Sequence, residues 1–151
     1  MLSMDTSVVP KVRLIGHIVY KEPWMHFTRT IDENIFYMVK SGELYIREGN
    51  DEYVLRKGDW LFLEPGITHA GFRESCCDYF YVHFKHPAIH RIENRTDNDI
   101  MDEMLLKRRL FLTDDFLLDT PPADSLSYLP KYYHLENDTI ILLMLKEATD
   151  E

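Results

Sequence analysis

Two short stretches and one arginine hold the side chains with most chemistry to offer. GDWLFLEPGITHAGF (residues 58–72) reads as a turn, a strand and a Pro-Gly corner, followed by His69, whose imidazole can bind a metal or hydrogen-bond a ligand. In YFYVHF, alternation puts Tyr79, Tyr81 and His83 on one face of a strand and Phe80, Val82 and Phe84 on the other. That pattern predicts a strand lying between a polar cavity and a packed layer. Upstream, alternation places Arg29 on the same side as Ile31, Ile35, Tyr37 and Val39. Burying a guanidinium is costly unless its donors are satisfied. An inward Arg29 therefore implies an anionic or polyhydroxylated ligand, or Asp32 or Glu64 as its partner. Trp24, Tyr37, Tyr79 and Tyr81 offer faces for a sugar or planar ring and polar tips to bond it. His17 is a further candidate contact.

The stretch ending at His69 resembles the second conserved motif of the cupin superfamily, in which the histidine points into a barrel. A metal-binding cupin also carries an earlier His-x-His pair and a glutamate ahead of a strand-ending glycine, for which Gly42 is the candidate here. The corresponding places hold Arg29, Thr30 and Ile31, with Ile35 in place of the glutamate, so that first motif is absent. One imidazole cannot complete a metal's coordination shell. Partners would have to come from His17, His26, His83 or Glu64. No metal and no cofactor are expected. Nucleophile elbows, phosphate-binding loops and dinucleotide-binding glycine patterns are missing as well, which argues against an enzyme.

The elements needed to position these groups are mostly strands. Residues 12–84 form the short runs LIGHIVY, WMHFTRT, NIFYMVK, ELYIRE, EYVLRK, DWLFLE and YFYVHF, separated by turn signals at Ser41-Gly42, Gly49-Asn50-Asp51 and Lys57-Gly58-Asp59. Such closely spaced turns predict an antiparallel meander. In ELYIRE, Leu44 and Ile46 alternate with Glu43, Tyr45 and Arg47, predicting one buried and one wet face. Beyond Pro87 the spacing of Ile100, Met101, Met104, Leu105 and Arg108 predicts a helix over residues 99–110, capped by Asn98 or Asp99. An acidic connector is expected over residues 113–127, and Pro130 confines YLPKYYHL to an edge or irregular strand. Asn137-Asp138-Thr139 offers caps for a last helix, IILLMLKEATDE, whose apolar run asks to be covered by the barrel or by a second subunit.

Charge and composition narrow the function classes. With 17 basic against 26 acidic residues, the net charge of −9 repels phosphate backbones, so this segment alone is a poor nucleic-acid binder. Cys76 and Cys77 are adjacent and cannot staple distant parts of a fold, which fits a reducing compartment. No signal-peptide pattern or membrane-length apolar run occurs. A cytoplasmic protein without a membrane partner is expected.

Taken together, Arg29, the strand ending at Gly42, GDWLFLEPGITH, YVHF and YLPKYYHLENDTIILLMLKEA resemble the N-terminal sensor domain of AraC-type transcription regulators. The resemblance implies a mainly β fold, a double-stranded β-helix (cupin-type jelly-roll barrel) followed by C-terminal α-helices. Residues 1–87 would be the ligand-binding barrel, with residues 1–11 as an arm that closes over the effector. Residues 88–151 would be a helical dimerisation and linker segment with one returning strand. It further implies a small-molecule effector, sugar-like or anionic, held by Arg29, His69, Tyr79, Tyr81 and His83. The C-terminal helices would form a homodimer, and DNA would be reached only through a separate C-terminal domain that is not in this chain. Tyr81 stands where the arabinose-binding member has a sugar-stacking tryptophan, which puts arabinose itself in doubt. The competing expectation is a small metal-dependent cupin enzyme, an isomerase or dioxygenase, built on His69.

Overall fold

The computed structural model describes residues 1–113 and 125–150, so most of the expected acidic connector lies outside the described residues. In chain order the elements are β1 (Leu2–Asp5), β2 (Lys11–Trp24), β3 (Asn34–Gly42), β4 (Leu44–Glu48), β5 (Asp51–Leu55), β6 (Asp59–Leu63), β7 (His69–Gly71), β8 (Ser75–Lys85), β9 (Ile89–Arg91), α1 (Asp97–Thr113), β10 (Leu126–Leu129), β11 (Tyr132–His134) and α2 (Thr139–Thr149). They divide into a unit of Met1–Val9 with Pro87–Pro130, and a larger barrel unit of Pro10–His86 with Lys131–Glu151.

The barrel unit is mainly β, a double-stranded β-helix of two sheets. A five-stranded sheet runs β11-β6-β3-β8-β2 and a three-stranded sheet runs β5-β4-β7, all pairings antiparallel. Ile35, Tyr37 and Val39 of β3, Leu44 and Ile46 of β4, Leu61 and Leu63 of β6 and Tyr79 of β8 form one buried cluster. Those are the alternate residues of each strand, so period-2 alternation decides which face is dry.

The strands are not a meander. Within the barrel unit only β4 and β5 pair as sequence neighbours, because both edges of β3 are taken, by β6 and by β8. The chain must leave the sheet after β3, and Gly42 makes that corner with a φ of 77°. A Cβ there would lie 2.2 Å from the Cys76 carbonyl oxygen. WMHFTRT is not a strand either. Beyond Trp24 it docks beside β7 through the Gly71 amide to the His26 carbonyl, at 2.8 Å, and through reciprocal 2.9 Å backbone bonds between Arg29 and His69. In β4 the outward side is only partly wet. Tyr45 is buried, with Arg73 over its ring and Phe72 at its edge, and Glu48 points inward.

YLPKYYHL is split at Pro130 between the two units. β10 pairs with β1, whose other edge pairs with β9, and β11 extends the barrel's larger sheet alongside β6. Next to the break, the Lys131 ammonium sits against the carboxylates of Glu48 and Glu64. Helix α1 starts earlier than its spacing implies, because Thr96 is the cap. Its hydroxyl accepts from the Asp99 amide at 3.2 Å, while the Asp99 carboxylate accepts from the Thr96 amide at 2.8 Å. Glu103 then ties α1 to β10, accepting from Tyr128 Oη at 2.7 Å. Ahead of α2, Asn137 rather than Asp138 supplies the side-chain bond, accepting from the Thr139 amide at 3.2 Å. None of the α2 side chains is buried, and Ile140, Leu143 and Met144 are exposed. No described helix is long and apolar enough to cross a membrane.

Candidate ligand-binding cavity

A cavity of about 300 Å³ opens on the inner face of the five-stranded sheet. From β2 it takes Arg13, Leu14, Ile18, Tyr20 and Trp24; from the segment beyond, His26, Phe27 and Arg29; from β3, Tyr37; and from β8, Tyr79, Tyr81 and His83. Gly16 makes room for one of these walls, since a Cβ there would lie 2.3 Å from the Tyr81 ring. Tyr20 and Trp24 stack with centroids 4.0 Å apart and planes within 6°, and Arg29 lies over the Phe27 ring at 5.0 Å.

Arg29 is the hub of the polar groups. Its Nε donates to His69 Nε2 at 2.9 Å, and its Nη2 lies 3.4 Å from both Tyr37 Oη and His83 Nε2. Because Nε2 of His69 accepts, that ring is neutral with its proton on Nδ1. His26 is neutral in the same way: Nδ1–H donates to the Phe27 carbonyl at 2.7 Å and Nε2 accepts from Tyr37 Oη at 3.0 Å. A donor relay thus runs from Arg29 through Tyr37 and His26 to a backbone carbonyl.

Burial keeps these imidazoles uncharged. It pulls His26 and His69 each down to about 4, with the neighbouring Arg29 charge adding to the effect. His83 is lowered by burial too, against the partial opposition of Glu33 at 3.2 Å. Desolvation pushes the Tyr37 hydroxyl up to about 12 and raises Tyr79.

Among the described residues no carboxylate meets Arg29. Asp32 pairs with Lys85 at 2.9 Å and Glu64 with Lys131, so neither is the partner that alternation offered it. The second arginine is satisfied: Arg13 makes two bonds to Glu33, at 2.5 and 2.7 Å.

Of the residues singled out from sequence, Trp24, Arg29, Tyr37, Tyr79, Tyr81 and His83 line the cavity. His69, 1% exposed, stands behind Arg29 rather than in the wall. His17 lies on the opposite face of the sheet, stacked on Phe80 at 4.4 Å, bonded to Asp78 at 2.6 Å, and lining a groove beside α2. Sequence reasoning passed over Leu14, Ile18 and Tyr20, although LIGHIVY carries them on one face with Gly16 between. Arg13 was not readable by alternation, because a register shift between Val12 and Leu14 breaks the period.

A metal centre does not fit this arrangement. The Nε2 lone pair of His69 faces a guanidinium and that of His26 faces a phenol, so each electron pair a cation would need is already engaged. Among the described residues no group of three or more His, Cys, Asp or Glu side chains is placed to hold a metal ion.

Comparison with known proteins gives three findings. The family described as AraC-like ligand binding domain matches residues 16–107. An uncharacterized HTH-type transcriptional regulator of Bacillus subtilis (strain 168), YisR, is 31% identical over 71 residues, which are 46% of this chain and 25% of that protein. The chain thus spans about a quarter of the length of that relative. Among solved structures, a putative mannose-6-phosphate isomerase from Ralstonia eutropha JMP134 is similar at a TM-score of 0.42 and 21% identity, over 50% of this chain and 82% of that one. A cupin protein from Bacteroides fragilis is similar at 0.38 and 21%, over 54% and 69%.

Proposed function

The chain belongs to the AraC-like ligand binding domain family, and on that premise we propose that it is the effector-sensing and dimerisation part of a transcription regulator. The supporting observation is Arg29, a cation facing a cavity with no carboxylate among the described residues to neutralise it. A small polar ligand, sugar-like or anionic, would supply the missing partner. Residues 1–87 would bind it and residues 88–151 would carry dimerisation and linkage. The chain itself would not turn over substrate, would work in the cytoplasm, and would reach DNA through a separate domain.

Dimerisation would use α2, whose exposed Ile140, Leu143 and Met144 make an apolar surface that a second copy of the helix could cover. A charge in that surface would be desolvated in the dimer, so Leu143→Glu is expected to shift the chain from dimer to monomer in analytical ultracentrifugation. A wild-type chain that is monomeric at tens of micromolar would defeat the dimer assignment. The sensing role is tested by thermal shift against a small-molecule library. At a ligand concentration of 100 Kd, stabilisation should reach about 2.7 kcal/mol, and it should be lost on blocking the cavity with Gly16→Leu.

The alternative, a metal-dependent cupin enzyme built on His69, requires Arg29 to vacate that ring. Stoichiometric iron, zinc or manganese in protein purified without an affinity tag, lost in His69→Ala, would establish it over the sensing role.

A further inference from the structure

Building on the sensing role, we propose that the effector is a monocarboxylate with an apolar, ring-sized body, its carboxylate seated on the outer Nη1–Nη2 edge of Arg29. Three independent features of the cavity lead there.

The first is charge. Among the described residues, the lining contains Arg13 and Arg29 but no aspartate, glutamate, asparagine or glutamine. Glu33 neutralises Arg13 through two bonds, so one positive charge is left over, on Arg29. A single anionic group balances it, and a neutral ligand does not.

The second is geometry. The guanidinium is held from behind, by His69 on Nε, and from the side by the two longer 3.4 Å contacts on Nη2. Nη1 has no recorded partner among the described residues. The edge formed by Nη1 and Nη2 is the fork that takes a planar carboxylate through two parallel bonds. His69 acts here as a positioning residue: held to Arg29 by reciprocal backbone bonds and accepting from its Nε, it prevents the fork from rotating.

The third is the remaining wall. Leu14, Ile18, Phe27 and the stacked Tyr20–Trp24 pair offer apolar faces. Hydroxyls spread around a sugar ring would find acceptors only in the phenol oxygens of Tyr20, Tyr79 and Tyr81, and each one left against an apolar face would count against binding. An aromatic or short alkyl body loses nothing there.

The test uses the 151-residue chain with benzoate, phenylacetate and hexanoate as acids, benzamide as the neutral analogue of benzoate, and L-arabinose as a neutral sugar, read by thermal shift and calorimetry. At least one acid is expected to bind, benzamide and arabinose are not, and Arg29→Gln should weaken the acid about 30-fold or more. Arg29→Lys, which keeps the charge but loses the fork, should recover part of that loss. Circular dichroism of both variants separates lost binding from lost folding. The proposal fails if none of the acids binds, if benzamide matches benzoate, or if Arg29→Gln binds the acid unchanged. Arabinose binding that disappears in Trp24→Ala would overturn the carboxylate while leaving the sensing role standing. Both fall together if a broad library, neutral and acidic, yields no ligand sensitive to Gly16→Leu.

Discussion

Where β11 joins the barrel, the Lys131 ammonium reaches between Glu48 and Glu64, and the Glu48 carboxylate beside it is only 1% exposed. In the cavity, Arg29 reaches inward to meet two imidazoles, those of His69 and His83, and the Tyr37 phenol, while the nearby carboxylates among the described residues, Glu33 and Asp32, are engaged by Arg13 and Lys85. Both are cations taken partly out of water, yet one has its counter-charge built in and the other does not. Desolvating a charge is costly unless it is paired. The paired site is therefore where stability is held, and the unpaired one is where an outside charge is wanted.

Removing each cation should separate the two. Lys131→Met leaves a buried carboxylate without its partner, and urea unfolding should show a loss of about 3 kcal/mol or more. Adding Glu48→Gln in the same chain should restore part of it. Arg29→Gln relieves an uncompensated charge, so its stability should stay within about 1 kcal/mol of wild type. A loss as large as that of Lys131→Met would erase the distinction and make Arg29 a structural residue.

Acid should act on the cavity first. His26 and His69 titrate near 4 in the folded protein against 6.5 when exposed. From pH 6.5 down towards 4 the unfolded chain therefore binds protons that the folded chain refuses. Their contribution is complete above pH 6.5 and is lost as pH falls through that window. The urea midpoint should decline steadily between pH 7 and 4.5, and His26→Gln should flatten the slope. A midpoint independent of pH across that range would mean the rings are not held neutral. The smallest effect belongs to the outer face: His17→Ala breaks a half-exposed pair with Asp78 and should shift stability by about 1 kcal/mol or less without touching ligand binding.

Much of the wall could be read from alternation. In β8 the period of two is unbroken, so Tyr79, Tyr81 and His83 share a face wherever the strand lies, and that face is the cavity's. The helices were visible in their apolar spacing, though α1's start was misplaced because its capping threonine lies upstream of Asn98 and Asp99. The order of the strands was hidden, since which edges of β3 are occupied depends on β6 and β8, far along the chain.

By itself the sequence determined that the chain is mainly β, which residues share a face within each unbroken strand, and that the first cupin metal motif is missing. Those properties are local, set by side-chain period and residue type. Only the tertiary structure decided what Arg29 meets. His69 lies 40 residues away and reaches it through an isolated bridge, while Asp32 and Glu64 are drawn off by Lys85 and Lys131. Whether a charge is paired depends on register and on competition among distant partners, and neither is written in the spacing of residues along the chain.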